Sequence, residues 1–433
     1  MEVFRWSSSS AEQRRALFAR PSESSNAYDV AREILLAVET RGDDAVFEYA
    51  RTLDNWAPNN GFRVSIEEMR ACADELAPEN RDAILAAADA VRAYHKKQGY
   101  QPFCEETWPG AKAERWVRPI EIAGLYVPAG TAPLVSTLIM LAVPAQIAGV
   151  ERIALIAPPR KGEGVEPTLL AAAHLLGIEE LYAIGGAHGI AALGYGVAGL
   201  PKADKIFGPG NAYVAAAKAL LAQSDANVAT DLPAGPSEVM VVADGTASAD
   251  LVAIDLLSQA EHDPLAQVVL VAYSEAIVTQ VKSELDRLIQ SLPRKDIAKA
   301  SIANARAVIV SNDDEAVEAC NAYASEHLII QTDNPRNLAQ RVKHAGSVFL
   351  GRWSPEAAGD YAAGPNHALP TAGAARAYGG VTVEMFQKTM SVLELGKDSV
   401  AHIAPVVERL ADLEGLEAHR LAMAMRREKV EQP

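Results

Sequence analysis

The chain has 433 residues, a hydrophobic fraction of 49% and a formal net charge of −16 at pH 7. This length predicts two or more domains, and the apolar content is ample for packed cores. The acidic balance and the lack of a Lys/Arg run argue against nucleic acid and anionic membrane surfaces as partners, because phosphate groups bind clustered basic side chains.

The cysteines and the apolar segments indicate where the protein works. Cys72, Cys104 and Cys320 are far apart and form no CxxC motif, so we expect neither disulfides nor a thiolate zinc site, and we predict a reducing cytoplasm. No signal peptide is expected at the N-terminus. Residues 122–150 carry no charge and could span a bilayer, but prolines and glycines divide them into a strand, a loop and a buried helix.

The secondary-structure pattern changes near Ile120. The first hundred residues show helical periodicity, whereas β-rich runs then alternate with runs rich in alanine and leucine. Such alternation predicts parallel sheets with helices on both faces. About nine strands suit two modest sheets better than one. We place the boundary between the two sheets near the prolines at 233 and 236. Seven of the predicted strands lie at 152–157, 181–184, 239–242, 268–272, 308–310, 327–331 and 347–350.

The C-terminal part is predicted to be a helical arm. The chain is loop-like from Asp360 to Pro370, and from about Ser399 it is charged and helical. Its apolar stripe consists of Val406, Leu410, Leu413 and Leu416. Because such an arm is too small to fold alone, it must pack on something else.

Gln259 and His262 are candidate metal ligands. They stand three residues apart, just before Pro264 ends the helical pattern. Residues at this spacing share a helix face, so an amide oxygen and an imidazole nitrogen can point to one place. These donors suit a borderline metal such as zinc. Two donors do not complete a site, and further His, Asp or Glu residues would have to converge there.

Glu326 and His327 form a candidate acid/base pair at the entry to a predicted strand. Together they could transfer protons near neutral pH. Adjacent residues in a regular strand point to opposite faces, so both can serve one site only if the backbone is irregular at this junction. The alternative is a capping glutamate beside a packed histidine.

Three glycine-rich segments are candidate loops of a site. Residues 359–370 contain Asp360 and His367, and such loops often carry function at the carboxyl ends of strands, although an ordinary surface connection is the alternative. Gly185–Gly189 and Gly208–Asn211 each end a strand and open a helix, where backbone N–H groups could hold phosphate. Neither matches GxGxxG, and either could be a tight turn.

Several long strings give the chain its resemblance to a known family. They occur in that family's order at 124–130, 205–211, 233–238, 257–262, 325–328, 345–351, 358–361 and 366–370. Over nearly its whole length the chain resembles the histidinol dehydrogenase family.

The resemblance implies a shared metal site. Zinc would be held by Gln259, His262 and Asp360 together with His419 from the other subunit of a homodimer. Ser237 and Glu414 would help to hold the substrate, L-histidinol, beside the metal ligands and His327. The C-terminal arm would then pack on the partner and contribute Glu414 and His419 to it.

The resemblance also implies the reaction, which is two successive oxidations from alcohol to aldehyde to carboxylate, each passing a hydride to NAD. His327 would remove the alcohol proton, and Glu326 would activate the water that hydrates the aldehyde. NAD would lie along Tyr126, residue 188 and Asn211. The family usually has Gln where this chain has His188, although an imidazole can also donate one hydrogen bond.

The implied fold is α/β, with two incomplete Rossmann-like parallel-sheet domains and helical extensions at both ends, in an intertwined homodimer. The expected parts are an N-terminal helical extension at 1–24, a catalytic domain at 25–125 and 237–380, a NAD-binding domain at 126–236 and a dimerisation arm at 381–433.

Two alternative functions remain at this point. Relatives on the same scaffold oxidise other polar primary alcohols such as sulfonated diols, although Glu414 and His419 favour histidinol. The other alternative is a zinc hydrolase in which Glu326 activates water and no nucleotide takes part.

Overall fold

The computed structural model describes residues 1–20, 26–58, 60–128, 134–160, 163–233 and 235–432. The strands are β1 (Glu2–Arg5), β2 (Arg63–Val64), β3 (Phe103–Trp108), β4 (Ala111–Pro119), β5 (Ile122–Tyr126), β6 (Arg152–Ala157), β7 (Glu180–Ala183), β8 (Lys205–Phe207), β9 (Ala229–Thr230), β10 (Glu238–Ala243), β11 (Gln267–Ala272), β12 (Arg306–Ile309), β13 (His327–Gln331), β14 (Ser347–Leu350) and β15 (Gln387–Leu395). The α-helices are α1 (Ala11–Leu17), α2 (Ala27–Arg41), α3 (Asp43–Leu53), α4 (Ile66–Glu75), α5 (Pro78–His95), α6 (Val135–Ala148), α7 (Pro167–Leu175), α8 (Gly186–Tyr195), α9 (Ala212–Leu221), α10 (Ala249–Ala260), α11 (Glu275–Leu288), α12 (Lys295–Ala303), α13 (Asp313–Tyr323), α14 (Pro335–Ala339), α15 (Glu356–Tyr361), α16 (Lys397–Leu413) and α17 (Glu417–Glu431).

The first sheet has six parallel strands in the order β1-β12-β11-β10-β13-β14. Every residue of β10, β11 and β13 is buried, because apolar runs without alternation are covered by helices on both faces. Val239 and Val241 enter one hydrophobic cluster, while Met240 and Val242 enter another on the opposite face.

The second sheet has the order β2-β7-β6-β5-β8-β9, and only β2 runs antiparallel to its neighbour. The order β7-β6-β5-β8-β9 is that of the first five strands, 3-2-1-4-5, of a doubly wound nucleotide-binding fold. Leu125 and Leu155 face one core of this sheet, and Tyr126 and Ile156 face the other. The predicted α/β class with parallel sheets is confirmed.

A third sheet, antiparallel and in the order β15-β4-β3, was not expected from the sequence. Its β15 lies at 387–395, in the part of the predicted helical arm (381–433) that precedes the helix expected from about Ser399, and the helices α16 and α17 follow it. Every residue of β3 is exposed. Strands so exposed are rich in charge and lack the apolar runs from which the other strands are predicted.

Helices α2 to α5 pack on the second sheet, which differs from the expected grouping of 25–125 with 237–380. Ala31 and Ile34 of α2 share a core with Tyr126, and Val91 of α5 shares a core with Leu125. The expected helical extension at 1–24 also differs, because β1 pairs with β12 at the edge of the first sheet. An apolar stripe on a helix shows that the helix packs, but not against which sheet.

Residues 122–150 form β5 and the buried helix α6, as expected, while their predicted loop falls largely at 129–133, outside the described residues. Among the described residues, no helix combines the length and the apolar character needed to cross a membrane.

Candidate active site

A cavity of about 320 Å³ lies between the two parallel sheets. Ser237 and Glu326, which border it, stand immediately before β10 and β13, at the amino ends of the first sheet. Pro209 and Asp231 follow β8 and β9, at the carboxyl ends of the second sheet. The cavity therefore lies at the amino ends of the first sheet, which is the strand entry at which Glu326 and His327 were predicted, and at the carboxyl ends of the second sheet.

The structure brings most of the predicted site residues to this cavity. Those that line it are Asn211, Ser237, Gln259, His262, Glu326, His327 and Asp360. Tyr126, His188, Glu414 and His419 do not line it within this chain.

Gln259 and His262 reach the cavity from the end of α10. Gln259 lies in the last turn and is buried, and its Oε1 has no hydrogen-bond partner in the protein. His262 follows the helix, and its backbone N–H donates to the Gln259 carbonyl at 3.1 Å. Burial lowers the pKa of His262, which favours the neutral imidazole that a metal requires.

Glu326 and His327 share the cavity because the first of them lies outside the regular strand. Glu326 immediately precedes β13, and His327 is its first residue. Glu326 Oε2 is 3.6 Å from His327 Nδ1, and both side chains are buried. The irregular junction that the sequence required for a shared site is present.

The main chain of Glu238 contacts both members of this pair. Its N–H donates to Glu326 Oε2 at 2.8 Å, and its carbonyl lies 3.1 Å from His327 Nδ1. A carbonyl can only accept a hydrogen bond, so Nδ1 must carry a proton. His327 Nε2 is buried without a hydrogen bond, 3.6 Å from Asp360 Oδ1.

Burial and charge shift the proton affinities of the pair. Burial raises the pKa of Glu326 to about 8 and outweighs the stabilising charge of His327. Burial alone would lower the pKa of His327, but the carboxylates of Glu356, Glu326 and Asp360 together raise that pKa well above its usual value. The cavity thus holds a coupled imidazole–carboxylate group able to exchange protons.

Asp360 and Glu356 project from one face of α15, four residues apart. Their carboxylate oxygens and a nitrogen of His327 all lie within 4.8 Å of one another, which is close enough to hold a metal ion. Asp360 lies in a short helix that begins after Pro355, whereas we predicted a loop from residue 359. Glu356 was missed, although its spacing to Asp360 is a signal that the sequence offers.

His367 belongs to the cavity wall as well. Its Nδ1 lies 2.8 Å from the Asp360 carbonyl, and its Nε2 lies 3.3 Å from Thr137 Oγ1. This imidazole therefore joins the end of α15 to α6 of the second sheet. Burial lowers the pKa of His367, which favours a neutral ring in this position.

The Gly208–Asn211 turn forms the opposite wall and is held rigidly. The N–H of Gly208 donates to Asp231 Oδ2 at 2.7 Å, and Lys218 Nζ donates to the Gly208 carbonyl at 2.8 Å and to Asp231 Oδ1. Asn211 caps α9, because its Oδ1 accepts the N–H groups of residues 213 and 214.

Tyr126 and His188 lie behind this wall. Tyr126 is buried at the end of β5, near the backbone of Gly186. His188 is buried in the first turns of α8, with Nε2 3.0 Å from Asp54 Oδ2. The Nε2 of His188 is therefore engaged with Asp54, whereas its buried Nδ1 has no hydrogen-bond partner in the protein.

Glu414 and His419 lie where α16 meets α17, and both are exposed. Leu410 and Leu413 of the same arm are exposed as well. Within a single chain, this arm carries apolar and polar groups that nothing covers among the described residues.

A buried imidazole–carboxylate group between two parallel sheets defines an α/β enzyme with proton-transfer chemistry. The sequence profile of histidinol dehydrogenase matches residues 19–427. The chain is 43% identical to a histidinol dehydrogenase of Vibrio parahaemolyticus over 100% of both chains. It is 44% identical to that of Salmonella typhimurium over 97% of this chain and 96% of the relative. The crystal structure of histidinol dehydrogenase from Elizabethkingia anophelis matches with a TM-score of 0.94 and 37% identity, over 100% of this chain and 99% of that one. The chain therefore belongs to the histidinol dehydrogenase family of oxidoreductases.

Proposed function

We propose that this protein oxidises L-histidinol through L-histidinaldehyde to L-histidine, with NAD as the hydride acceptor in both steps. The observation that carries the proposal is the buried Glu326–His327 pair, which borders one cavity with Gln259, His262 and Asp360. The names of the similar proteins support histidinol as the substrate. We also propose a cytoplasmic location, which the three free cysteines support.

Zinc fits the donors on one side of the cavity. Gln259 offers a buried oxygen without a protein partner, His262 offers an imidazole that burial keeps neutral, and Asp360 offers a carboxylate. A borderline ion accepts this mixture, and His419 of the partner subunit would be the fourth ligand. When bound, zinc would anchor the imidazole and amino nitrogens of the substrate.

His327, Glu356 and Asp360 form another group whose ligand atoms lie close enough together to hold a metal ion. We place the metal on Gln259, His262 and Asp360 because a metal-bound Nε2 of His327 could not accept a proton. The alternative would also leave the buried Oε1 of Gln259 without a partner, which costs about 1–3 kcal/mol.

His327 is the base of both oxidations. Its Nδ1 donates to the Glu238 carbonyl, so the ring presents Nε2 to the cavity. Nε2 takes the hydroxyl proton of the alcohol as a hydride leaves the same carbon for NAD. After the aldehyde is hydrated, Nε2 takes a hydroxyl proton again in the second oxidation.

Glu326 is the base of the hydration step between the oxidations. Water adds to the aldehyde carbon while the carboxylate takes one of its protons. The protonated Nε2 of His327 gives its proton to the aldehyde oxygen, which completes the hydrate and leaves Nε2 free to accept a proton again. A carboxyl group with a pKa of about 8 is suited to take and return protons near neutral pH. Ser237 at the same cavity, together with Glu414 of the partner subunit, would hold the substrate.

NAD would lie against the carboxyl ends of the second sheet, along the Gly208–Asn211 turn. The N-terminus of α9 supports this position, because helix N-termini bind phosphate groups. Tyr126 and His188 stand behind the adjoining turn, where His188 is bonded to Asp54. In this chain His188 would therefore support the turn that contacts the cofactor. Its Nε2, which is bonded to Asp54, would not be free to donate to the cofactor.

We propose a homodimer in which each arm completes the partner's site, and in which each parallel sheet with its helices forms one domain. Support for the dimer comes from the arm, where Leu410, Leu413 and Leu416 are exposed together with Glu414 and His419. Contiguous apolar surface of this kind marks a protein interface.

The deciding experiment is to measure NADH formation from L-histidinol and metal content on the same sample. We expect two NADH per histidinol consumed and about one zinc per subunit. NADH formation with a sulfonated diol but not with histidinol would select a relative on the same scaffold. If no alcohol gives NADH, the zinc hydrolase remains as the alternative function.

A further inference from the structure

The amino end of β10 positions both members of the acid/base pair through a single residue. The N–H of Glu238 fixes the Glu326 carboxylate, and its carbonyl fixes the His327 ring. Any rotation of the backbone at Glu238 would therefore displace both side chains together. What restrains Glu238 consequently controls the geometry of the pair.

Arg20 restrains Glu238 by a bidentate ion pair. Arg20 Nε lies 2.5 Å from Glu238 Oε1, and Nη2 lies 3.0 Å from Oε2. The Glu238 side chain is only 3% exposed, so little solvent competes with this pair. Oε1 also accepts the N–H of Ala372 at 2.9 Å. Charge-assisted bonds in this fork geometry fix the orientation of a carboxylate as well as its charge.

Arg20 is itself held from a second side. Its Nη2 donates to the Tyr323 carbonyl at 2.8 Å, and its guanidinium carbon stands 4.4 Å from the centre of the Tyr323 ring. It lies just beyond α1, whose Leu17 and Phe18, the latter at the helix end, are buried against the first sheet. The N-terminal segment is thus anchored, and it places Arg20 beneath the site without reaching the cavity.

We propose that Arg20 is a positioning residue for the oxidation of histidinol, acting through Glu238 on Glu326 and His327. The kinetic part of this inference rests on the proposed function. Arg20 fixes the Glu238 side chain, and the Glu238 main chain then holds the imidazole with Nε2 toward the cavity. A lysine at this position would supply a positive charge but not the two parallel hydrogen bonds that a guanidinium makes to a carboxylate.

The experiment compares Arg20→Ala with Arg14→Ala in the zinc-loaded protein. Arg14 belongs to the same N-terminal segment, where it donates to the Trp6 carbonyl at 2.8 Å, but it does not touch Glu238. The first readout is the hydrogen-exchange protection of the His327 Nδ1–H proton by NMR, assigned through its absence in His327→Asn. The second readout is kcat and KM for histidinol, with and without guanidinium chloride well below denaturing concentrations.

We expect Arg20→Ala to lose the protection of that proton and to lower kcat at least about tenfold with little change in KM. Added guanidinium should restore part of kcat, because the vacated position is partly open to solvent. Arg14→Ala should keep both the protected proton and the wild-type kcat, even where it lowers the free energy of unfolding as much as Arg20→Ala does. Should Arg20→Ala fail to fold, Arg20→Lys is expected to give an intermediate kcat with weaker protection.

A protected proton and wild-type kcat in the Arg20 variants would overturn the inference, and so would an equal loss of kcat in Arg14→Ala. Failure of the proposed function looks different, because the wild type would then form no NADH from histidinol. The NMR comparison would still decide whether Arg20 orients His327 in that case.

Discussion

Three of the seven buried side-chain polar atoms that lack a hydrogen bond among the described residues border one cavity. Among the described residues, Gln259 Oε1, His327 Nε2 and Glu356 Oε2 all lack a hydrogen bond, and all three residues line it. Folded proteins leave few such atoms, because each one costs about 1–3 kcal/mol. Their convergence indicates that this protein keeps unsatisfied groups where a ligand can satisfy them.

His262→Ala should remove both the metal and the turnover while leaving the fold largely intact. Removing one of four ligands leaves a weak, open site in an unchanged α/β core. Metal analysis, circular dichroism and NADH formation measure the three properties. Stoichiometric zinc in a well-folded variant would refute the ligand assignment.

Glu356→Gln provides the matched test of the alternative ligand group. The substitution keeps the shape of the side chain but removes the ability to ionise from a buried carboxyl, whose pKa burial raises to about 8. If Gln259, His262 and Asp360 hold the metal, zinc content should remain within about twofold of wild type. Loss of zinc comparable to that of His262→Ala would instead place the metal beside His327.

Glu326→Gln and His327→Asn should differ in the step they slow. The glutamate variant should slow the conversion of aldehyde to acid by roughly a hundredfold or more and the first oxidation far less, since only hydration needs that base. The histidine variant should slow both. Rates with histidinol and with histidinaldehyde supplied directly separate the steps, and equal slowing of both by Glu326→Gln would contradict this division.

The sequence predicts some of these residues and not others for physical reasons. Glu326 and His327 are predicted because two titratable side chains stand together at a strand entry. The contact of Glu238 with that pair could not be predicted, because Glu238 acts through its main chain and a pattern of side chains gives no information about main-chain contacts. Arg20 could not be predicted because its partner lies 218 residues away.

At the scale of elements, the strands that the sequence predicts correctly are mainly the buried ones. β6 and β14 have the bounds that their β-branched and aromatic runs predict, 152–157 and 347–350. β1 was missed because four residues carry too little periodicity, and β3, β4 and β15 were missed because most of their residues are exposed or half-buried. A prediction from hydrophobic pattern detects the strands that form a core and overlooks those paired at the surface.

The turn after β8 should tolerate no side chain at Gly208. Its φ is +119°, and a Cβ atom there would lie 2.0 Å from the Tyr126 carbonyl oxygen. Gly208→Ala should therefore lower the free energy of unfolding by about 3 kcal/mol and raise KM for NAD, because Asn211 follows in the same turn.

Gly149→Ala is the control for backbone strain alone. Gly149 also has a positive φ, +84°, but an added Cβ would meet nothing within 4 Å. We expect a loss of about 1 kcal/mol and an unchanged KM for NAD. Urea denaturation and steady-state kinetics measure both variants, and equal losses of stability would mean that the contact with Tyr126 is relieved by a backbone shift.

At the scale of the whole molecule, two sheets of opposite orientation meet at one cavity. The amino ends of the first sheet supply Glu326 and His327, and the carboxyl ends of the second sheet supply the Gly208–Asn211 turn. The sequence predicts two parallel sheets, but not which ends face each other, because that depends on how the sheets pack. The arm adds Glu414 and His419, which lie outside the cavity of their own chain.

Two inactive variants should restore activity together if the arm serves the partner. His419→Ala and His262→Ala homodimers each lack one ligand in both sites. In a mixed dimer, one site takes Gln259, His262 and Asp360 from the first chain and His419 from the second. Half of randomly mixed dimers are heterodimers with one intact site of two, so activity should reach up to about a quarter of wild type.

Co-refolded mixtures, with heterodimers proven by differently tagged chains, provide the measurement. Each variant refolded alone is the control, and both should remain inactive. Proven heterodimers without any recovery would mean that His419 serves its own subunit.

The pairing of β1 with β12 has a consequence for synthesis on the ribosome. All strands of the second sheet lie between residues 63 and 230, so that sheet can assemble while later residues are still being made. The first sheet must wait until β14, which ends at Leu350, has emerged, and Glu2–Arg5 must remain unpaired until Arg306–Ile309 appear. Contacts of such long sequence separation form slowly. The nascent chain can therefore carry an assembled second sheet while β1, which is made first, still lacks its partner strand β12.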